Sequence, residues 1–438
     1  MALELASSTP ETTADAAAAV APRIRGLICR NCGTPEVIGP NYVCAACFGP
    51  LEVDYDLEQI GRLVNPDAIA RRRPGIWRYL ELLPVDAAPE RGLAVGSTPL
   101  LRASRLGTSI GVEGLLIKDD TRNPTLSFKD RAVAIAAARV SSFGLEALGC
   151  ASTGNLAGAT AAAAAAIGVP AFVFVPADLE PAKIEHALAY GATVVRIDGT
   201  YDDVNRVCLE VADELPWGLV NVNLRPFYAE GSKTLGYEIA EELGWRLPDV
   251  IVAPIASGAM VTRLARSFEE LVELGWVAAK PVRFVGGQAA GCAPVASAFT
   301  SGRSDIEPVR TPDTIVRSLA IGNPADGRYA VELARGSAGS IEAITDEATA
   351  DAIRRTATLE GVYTETAGGV TIAAAEAARR NGTIRDGDEV VALLTGNGLK
   401  TPDAVNFGIE ARPAEPGRPG LTPVIPARFA AFEAWLSA

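Results

Sequence analysis

The eighteen residues ATAAAAAAIGVPAFVFVP, Ala159 to Pro176, carry no charge, and a run so long and apolar belongs either in a bilayer or in the interior of a large protein. Gly168 and Pro170 decide between the two. They cut the run into an Ala-rich half suited to a helix and a β-branched, aromatic half suited to a buried strand, with a tight turn between them. The same rhythm recurs from about Gly96 to Glu410, where the apolar segments GLLIKDD, AFVFVP, TVVRID, DVIVAPI, VRFVGGQ and EVVALLTG alternate with Ala-rich or amphipathic stretches. Such alternation predicts an α/β fold, a parallel sheet covered by helices on both faces.

With 438 residues, 48% of them hydrophobic, the chain is large enough for two or more lobes. Residues 1–24 have neither the basic start nor the compact apolar core of a secretory signal and are expected to form a disordered tail. A cysteine segment (25–55) and a charged, helical connector (56–95) precede the alternating region (96–410). Residues 411–438 read as a Pro-rich tail with a short helix around FAAFEAWLSA. The formal charge of −13 repels phosphate backbones and argues against nucleic acid as a partner. A soluble cytoplasmic protein without a membrane partner is expected.

Cys29, Cys32, Cys44 and Cys47 form two C-x-x-C pairs separated by eleven residues, with Gly33 and Gly49 just after each pair. Two such knuckles bring four thiolates to one tetrahedral Zn²⁺, and a site closed by four thiolates is structural, since it leaves no open position for a substrate. Cys150, Cys208 and Cys292 lie in apolar contexts and read as small core residues.

The chain has one histidine, His186, and no G-x-S-x-G elbow, so a Ser-His-Asp hydrolase is not expected and His186 reads as an ordinary helix residue. EGSKT (Glu230 to Thr234) lacks the spacing of a phosphate-binding P-loop. Lysine remains as the natural base or nucleophile. Lys129, in NPTLSFKDR at the entrance to the helical RAVAIAAARV, is placed for Schiff-base formation once apolar neighbours desolvate its amine. Three further loops support that reading. Ser152, Thr153, Gly154 and Asn155 sit at a predicted helix N-terminus, where free N–H groups hold a carboxylate. A plain cap needs only one of them. Ala256, Ser257, Gly258 and Ala259 follow the strand DVIVAPI and open another helix, a backbone that can close around a phosphate. Thr395 ends a strand in TGNGLK, at the edge where open α/β sheets bind ligands.

In this order, SFKDR, STGN, ASGA and TGNGLK resemble the threonine synthase family of pyridoxal-phosphate enzymes, from about Leu27 to Val405, and the zinc-ribbon-like segment is similar to that of some members. The resemblance implies a two-lobed, tryptophan-synthase-like fold (fold type II) with a small lobe at about 140–240 and a homodimer. It makes Lys129, with Phe128 beside it, the residue that forms the imine with the cofactor and shuttles protons. Asn155 would bond the pyridoxal 3′-oxygen, Ala256 to Ala259 the cofactor phosphate, Thr395 the pyridine nitrogen, and Ser152, Thr153 and Gly154 the substrate carboxylate. The family reaction turns O-phosphohomoserine and water into threonine and phosphate.

Two departures stand out. NLRPFYAEGSKT has Tyr228 where many members have an arginine for the substrate phosphate, and Leu126 stands where a glycine often precedes SFKDR. Arg225, Arg131 and Lys233 are the candidate replacements, since guanidinium and ammonium groups both bind phosphate. The departure leaves a second substrate class open, β-replacement on O-phosphoserine or a related amino acid. A non-catalytic ligand-binding homologue is the third reading, and the intact Lys129 argues against it.

Overall fold

The structure, a computed structural model, describes residues 23–152, 154–177, 184–199, 201–407 and 424–437. The expected N-terminal tail up to residue 22, Thr153 and the Pro-rich stretch 411–423 lie outside the described residues.

The described residues form three sheets. β1 (Ile24–Cys29), β2 (Pro35–Glu36) and β3 (Leu51–Tyr55) pair antiparallel in the order β2-β1-β3 and carry the cysteine segment. The connector that follows holds the short helices Leu57–Leu63 and Pro66–Ala70, whose first turns are capped by the side chains of Asp56 and Asn65, as short polar residues do at helix starts. A 3-10 helix, Ile76–Leu82, completes it.

β4 (Leu100–Arg102) and β5 (Leu115–Asp119) begin the large sheet, and the chain then leaves it to build a smaller one. β6 (Ala147–Ala151), β7 (Ala171–Pro176), β8 (Thr193–Ile197) and β9 (Trp217–Leu219) lie parallel in the order β8-β7-β6-β9. The chain returns as β10 (Val250–Pro254), β11 (Arg283–Ala289), β12 (Ser340–Ile344) and β13 (Val390–Leu394). The large sheet runs β12-β11-β10-β13-β5-β4, parallel except for β4 against β5. Each of the six apolar segments read from the sequence overlaps one of these strands. The Ala159–Pro176 run divides as expected, into a helix (Asn155–Ile167) ended by Gly168 at φ +80 and then β7. No helix among the described residues is long and apolar enough to cross a membrane. Cys150, Cys208 and Cys292 are buried. The last described helix, Phe429–Leu436, buries none of its residues.

Because β13 inserts between β10 and β5, the carboxyl ends of these three parallel strands are neighbours, and in open α/β sheets that switch point is where ligands bind. The helix Lys129–Ser142 starts there, and a buried ion cluster fixes it. Arg131, fully enclosed, bonds Asp120 through Nε (2.7 Å) and Nη2 (2.9 Å) and Glu238 through Nη1 (2.8 Å) and Nη2 (2.7 Å). Lys118 adds a second cation 2.9 Å from Glu238. Burial pushes the Glu238 carboxyl up, but the charges of Arg131 and Lys118 outweigh it and hold the group at about 2.

A folded-state value below the unfolded one means stability that is present above the unfolded pKa and lost as pH falls through the folded one. Glu238→Gln should therefore destabilise the chain by about 3–5 kcal/mol at neutral pH, the usual cost of breaking a buried pair. It should also remove part of the stability loss between pH 4.5 and about 2. Denaturant melts of both proteins across that range check the expectation.

Candidate active site

The turn before Lys129 is closed by its neighbour. Asp130 accepts hydrogen bonds from the N–H (2.7 Å) and hydroxyl (2.6 Å) of Thr125, and burial raises its carboxyl to about 6 although those bonds oppose the shift. Leu126 occupies the left-handed region at φ +60, a conformation that costs a side-chain-bearing residue ~1 kcal/mol. This explains physically why glycine is the easier residue at that place. The Leu126 carbonyl accepts from Asn397 N (3.0 Å), Ser127 pairs with Gly396, and Phe128 N donates to the Thr395 carbonyl (2.8 Å). SFK and TGN thus form a short antiparallel ladder that joins the start of the Lys129 helix to the loop after β13.

Lys129 Nζ donates to the Tyr228 hydroxyl at 2.8 Å and lies 5.2 Å from the centroid of the Phe128 ring. The substituted tyrosine is therefore the direct partner of the lysine amine. The Asn155 amide, at the start of the helix after β6, donates to both carboxylate oxygens of Glu365 at 3.0 Å. Burial pushes the Glu365 carboxyl up, against the Asn155 bond and the charges of Lys400 and Lys129. Burial also lowers the pKa of Lys400, against the charges of Glu365 and Asp130. Gly396 has no room for a side chain, because a Cβ there would stand 2.3 Å from Glu365 Oε1. Ser152 and Gly154 lie on the same turn as Asn155, with Gly154 N facing Ser152 Oγ at 3.3 Å. The expected role of Thr153 lies outside the described residues.

The turn Ala256–Ala259 opens the helix Ala259–Glu273, with Gly258 as N-cap at φ +94. Among the described residues, nothing accepts from the backbone N–H of Ser257 or Gly258. Ser127 Oγ is buried without a partner among the described residues, and Thr395, whose carbonyl the ladder uses, is buried at the same edge. A lysine amine, unmet turn N–H groups that suit an anion, and neutral hydroxyls around them are a donor set that fits pyridoxal phosphate.

The three candidate phosphate-binding cations separate. Arg131 is consumed by Asp120 and Glu238 as described above. Lys233 is equally enclosed, 2.5 Å from Glu230, 3.0 Å from Glu270 and stacked 4.1 Å over the Tyr55 ring. Both are structural ion pairs in the interior, so a solvent-borne phosphate meets neither. Arg225 is partly exposed and pairs with Asp326 at 2.7 Å, next to the Ala256–Ala259 turn. His186 is half-buried beside Gly158, where an added Cβ would meet its ring at 2.2 Å. Its pKa is lowered by burial and by Lys400. Glu365, Lys400 and Asp326 were given no role from the sequence. TETAGG offered one signal for Glu365, an acidic residue before a helix of small residues.

The four cysteine sulfurs of the N-terminal module lie within 4.8 Å of one another, with Cys29 and Cys47 at 3.4 Å and Cys32 and Cys44 at 3.7 Å. That gathering is the one a tetrahedral metal site needs.

A family model described as pyridoxal-phosphate dependent enzyme matches residues 92–396. The chain is 36% identical over 379 residues to the threonine synthase of Methanocaldococcus jannaschii, covering 86% of this chain and 93% of that protein. It is 37% identical to that of Synechocystis, covering 78% and 87%. Among solved structures, maize serine racemase superposes with a TM-score of 0.60 at 18% identity, covering 77% of this chain and 95% of that one, a likeness of fold. With Lys129 at the switch point of such a sheet, the chain belongs to the threonine synthase family of pyridoxal-phosphate-dependent enzymes.

Proposed function

We propose that the protein is a threonine synthase, converting O-phosphohomoserine and water to L-threonine and phosphate. The observation that carries this reading is the Lys129 amine, bonded to the Tyr228 hydroxyl beside the loop after β13 and near enough to the buried Glu365 carboxylate to act on it. Pyridoxal phosphate, when bound, supplies the electron sink that acidifies the substrate Cα–H. Lys129 holds the cofactor and, once substrate releases its amine, moves protons at Cα, Cβ and Cγ while the Cγ–O bond to phosphate breaks and water adds at Cβ. Tyr228 keeps that amine oriented between transfers, and Phe128 shields one side. The turn Ala256, Ser257, Gly258 and Ala259 receives the cofactor phosphate. Thr395 meets the pyridine nitrogen with a neutral hydroxyl, and Asn155 donates to the 3′-oxygen. Ser152, Thr153 and Gly154 receive the substrate carboxylate.

Arg225 is the cation we assign to the substrate phosphate, because it alone of the three candidates is partly open to solvent and stands beside the anion-binding turn. A phenol in place of the family's guanidinium at Tyr228 favours one second reading, β-replacement on the shorter O-phosphoserine. Cys29, Cys32, Cys44 and Cys47 would hold a structural zinc.

Three outcomes test these assignments. Purified protein given O-phosphohomoserine should release threonine and phosphate in equal amounts, and phosphate release from O-phosphoserine alone would favour the second reading instead. Lys129→Ala should lose at least about 10³-fold in turnover and all borohydride-trapped pyridoxyl label. Cys44→Ser should lower zinc content by metal analysis and lower the melting temperature, since structural zinc contributes folding energy directly.

A further inference from the structure

Asp326 touches three parts of the molecule that are far apart in sequence. It is 4% exposed and precedes the helix Gly327–Gly336. Its N–H donates to the Ser257 carbonyl at 2.8 Å, and its own carbonyl oxygen lies 2.6 Å from the position of a Cβ on Gly258. One peptide group on each side of Asp326 therefore presses on the Ala256–Ala259 turn. Its carboxylate meets two cations, Arg225 Nη2 at 2.7 Å and Arg30 Nη1 at 3.8 Å.

Arg30 comes from the cysteine module, where it and Asn31 are the two residues between Cys29 and Cys32. Its guanidinium stacks 3.6 Å from the centroid of the Tyr329 ring and pairs with Glu52 at 3.3 Å. The Tyr329 hydroxyl donates to Asn31 Oδ1. Glu52 also pairs with Arg263, on the helix that the Ala256–Ala259 turn opens. The first knuckle thus grips both helices that flank the turn, Gly327–Gly336 through Tyr329 and Asp326, and Ala259–Glu273 through Glu52 and Arg263. A planar guanidinium can stack and pair at once, which an ammonium cannot.

We propose that Arg30 and Asp326 are positioning residues for phosphate, through which the cysteine module holds the turn for the cofactor phosphate and the Arg225 side chain for the substrate phosphate. The proposal rests on the cofactor reading above and adds that the N-terminal module is part of the binding machinery. Such a role acts on phosphate recognition alone. Plain loss of packing would weaken every ligand of Lys129 alike.

The test compares pyridoxal 5′-phosphate with pyridoxal, which lacks the phosphate, as ligands of the full-length protein, followed by visible absorbance and borohydride trapping at Lys129. Arg30→Gln is expected to raise the dissociation constant of pyridoxal 5′-phosphate about tenfold and to leave that of pyridoxal unchanged, with Arg30→Lys recovering part of the loss. Tyr329→Leu, which frees Arg30 without altering Asp326, should act in the same direction and serves if Arg30→Gln does not fold. Equal weakening of both ligands, or none of either, overturns the proposal. Capture of neither ligand by the unmodified protein overturns the cofactor reading, and this proposal with it.

Discussion

The position of Lys129 depends on the guanidinium two residues further along its helix. Arg131 is clamped in bidentate fashion by Asp120 and Glu238, one carboxylate from the turn after β5 and the other from the helix Lys233–Glu242. Burying these charges is costly, and their mutual attraction offsets the cost only with such complete pairing. The gain is geometric. The start of the helix is fixed by a neighbour, so the Lys129 side chain keeps its own torsions free for work at more than one carbon.

Around that amine the charges are arranged in compensation. Lys400 stands between two carboxylates, Asp130 and Glu365, and Glu365 also feels the charge of Lys129. The Asn155–Glu365 contact joins the smaller sheet's first helix to the helix Thr366–Arg380 that packs on the large sheet. At this contact a neutral amide, with no charge of its own, faces a buried carboxylate.

Much of this was legible from local pattern. Strand segments announced themselves because buried parallel strands are apolar on both faces, and β4, β6, β9 and β12, which are short, built of small residues or less uniformly apolar, were not among the segments read. SFKDR, STGN, ASGA and TGNGLK were visible because backbone turns require particular small residues at fixed spacing. The enclosure of Arg131 and Lys233 was not, since Arg131–Glu238 joins residues more than a hundred positions apart and Lys233, though its partner Glu230 is only three residues away, is closed off by Glu270 and Tyr55 from distant segments. Read alone, both cations looked available for phosphate, and only the fold reveals that carboxylates enclose them. Glu365 and Asp326 were hidden for the same reason. Leu126 is the opposite case, an irregularity seen in sequence whose meaning, a left-handed backbone, needed the structure.

The cysteine segment looked like a detachable unit, bounded by a tail and a connector. Yet Tyr55, at the end of its last strand, donates to Glu230 at 2.8 Å, and its ring covers the Lys233 ammonium, which sits in the same buried cluster as Glu270 and Tyr237. Without that strand, two carboxylates and an ammonium would open to water inside the main body. The module is therefore part of the wall that keeps this charge cluster of its host dry, and the boundary between the two in sequence is not a boundary in packing.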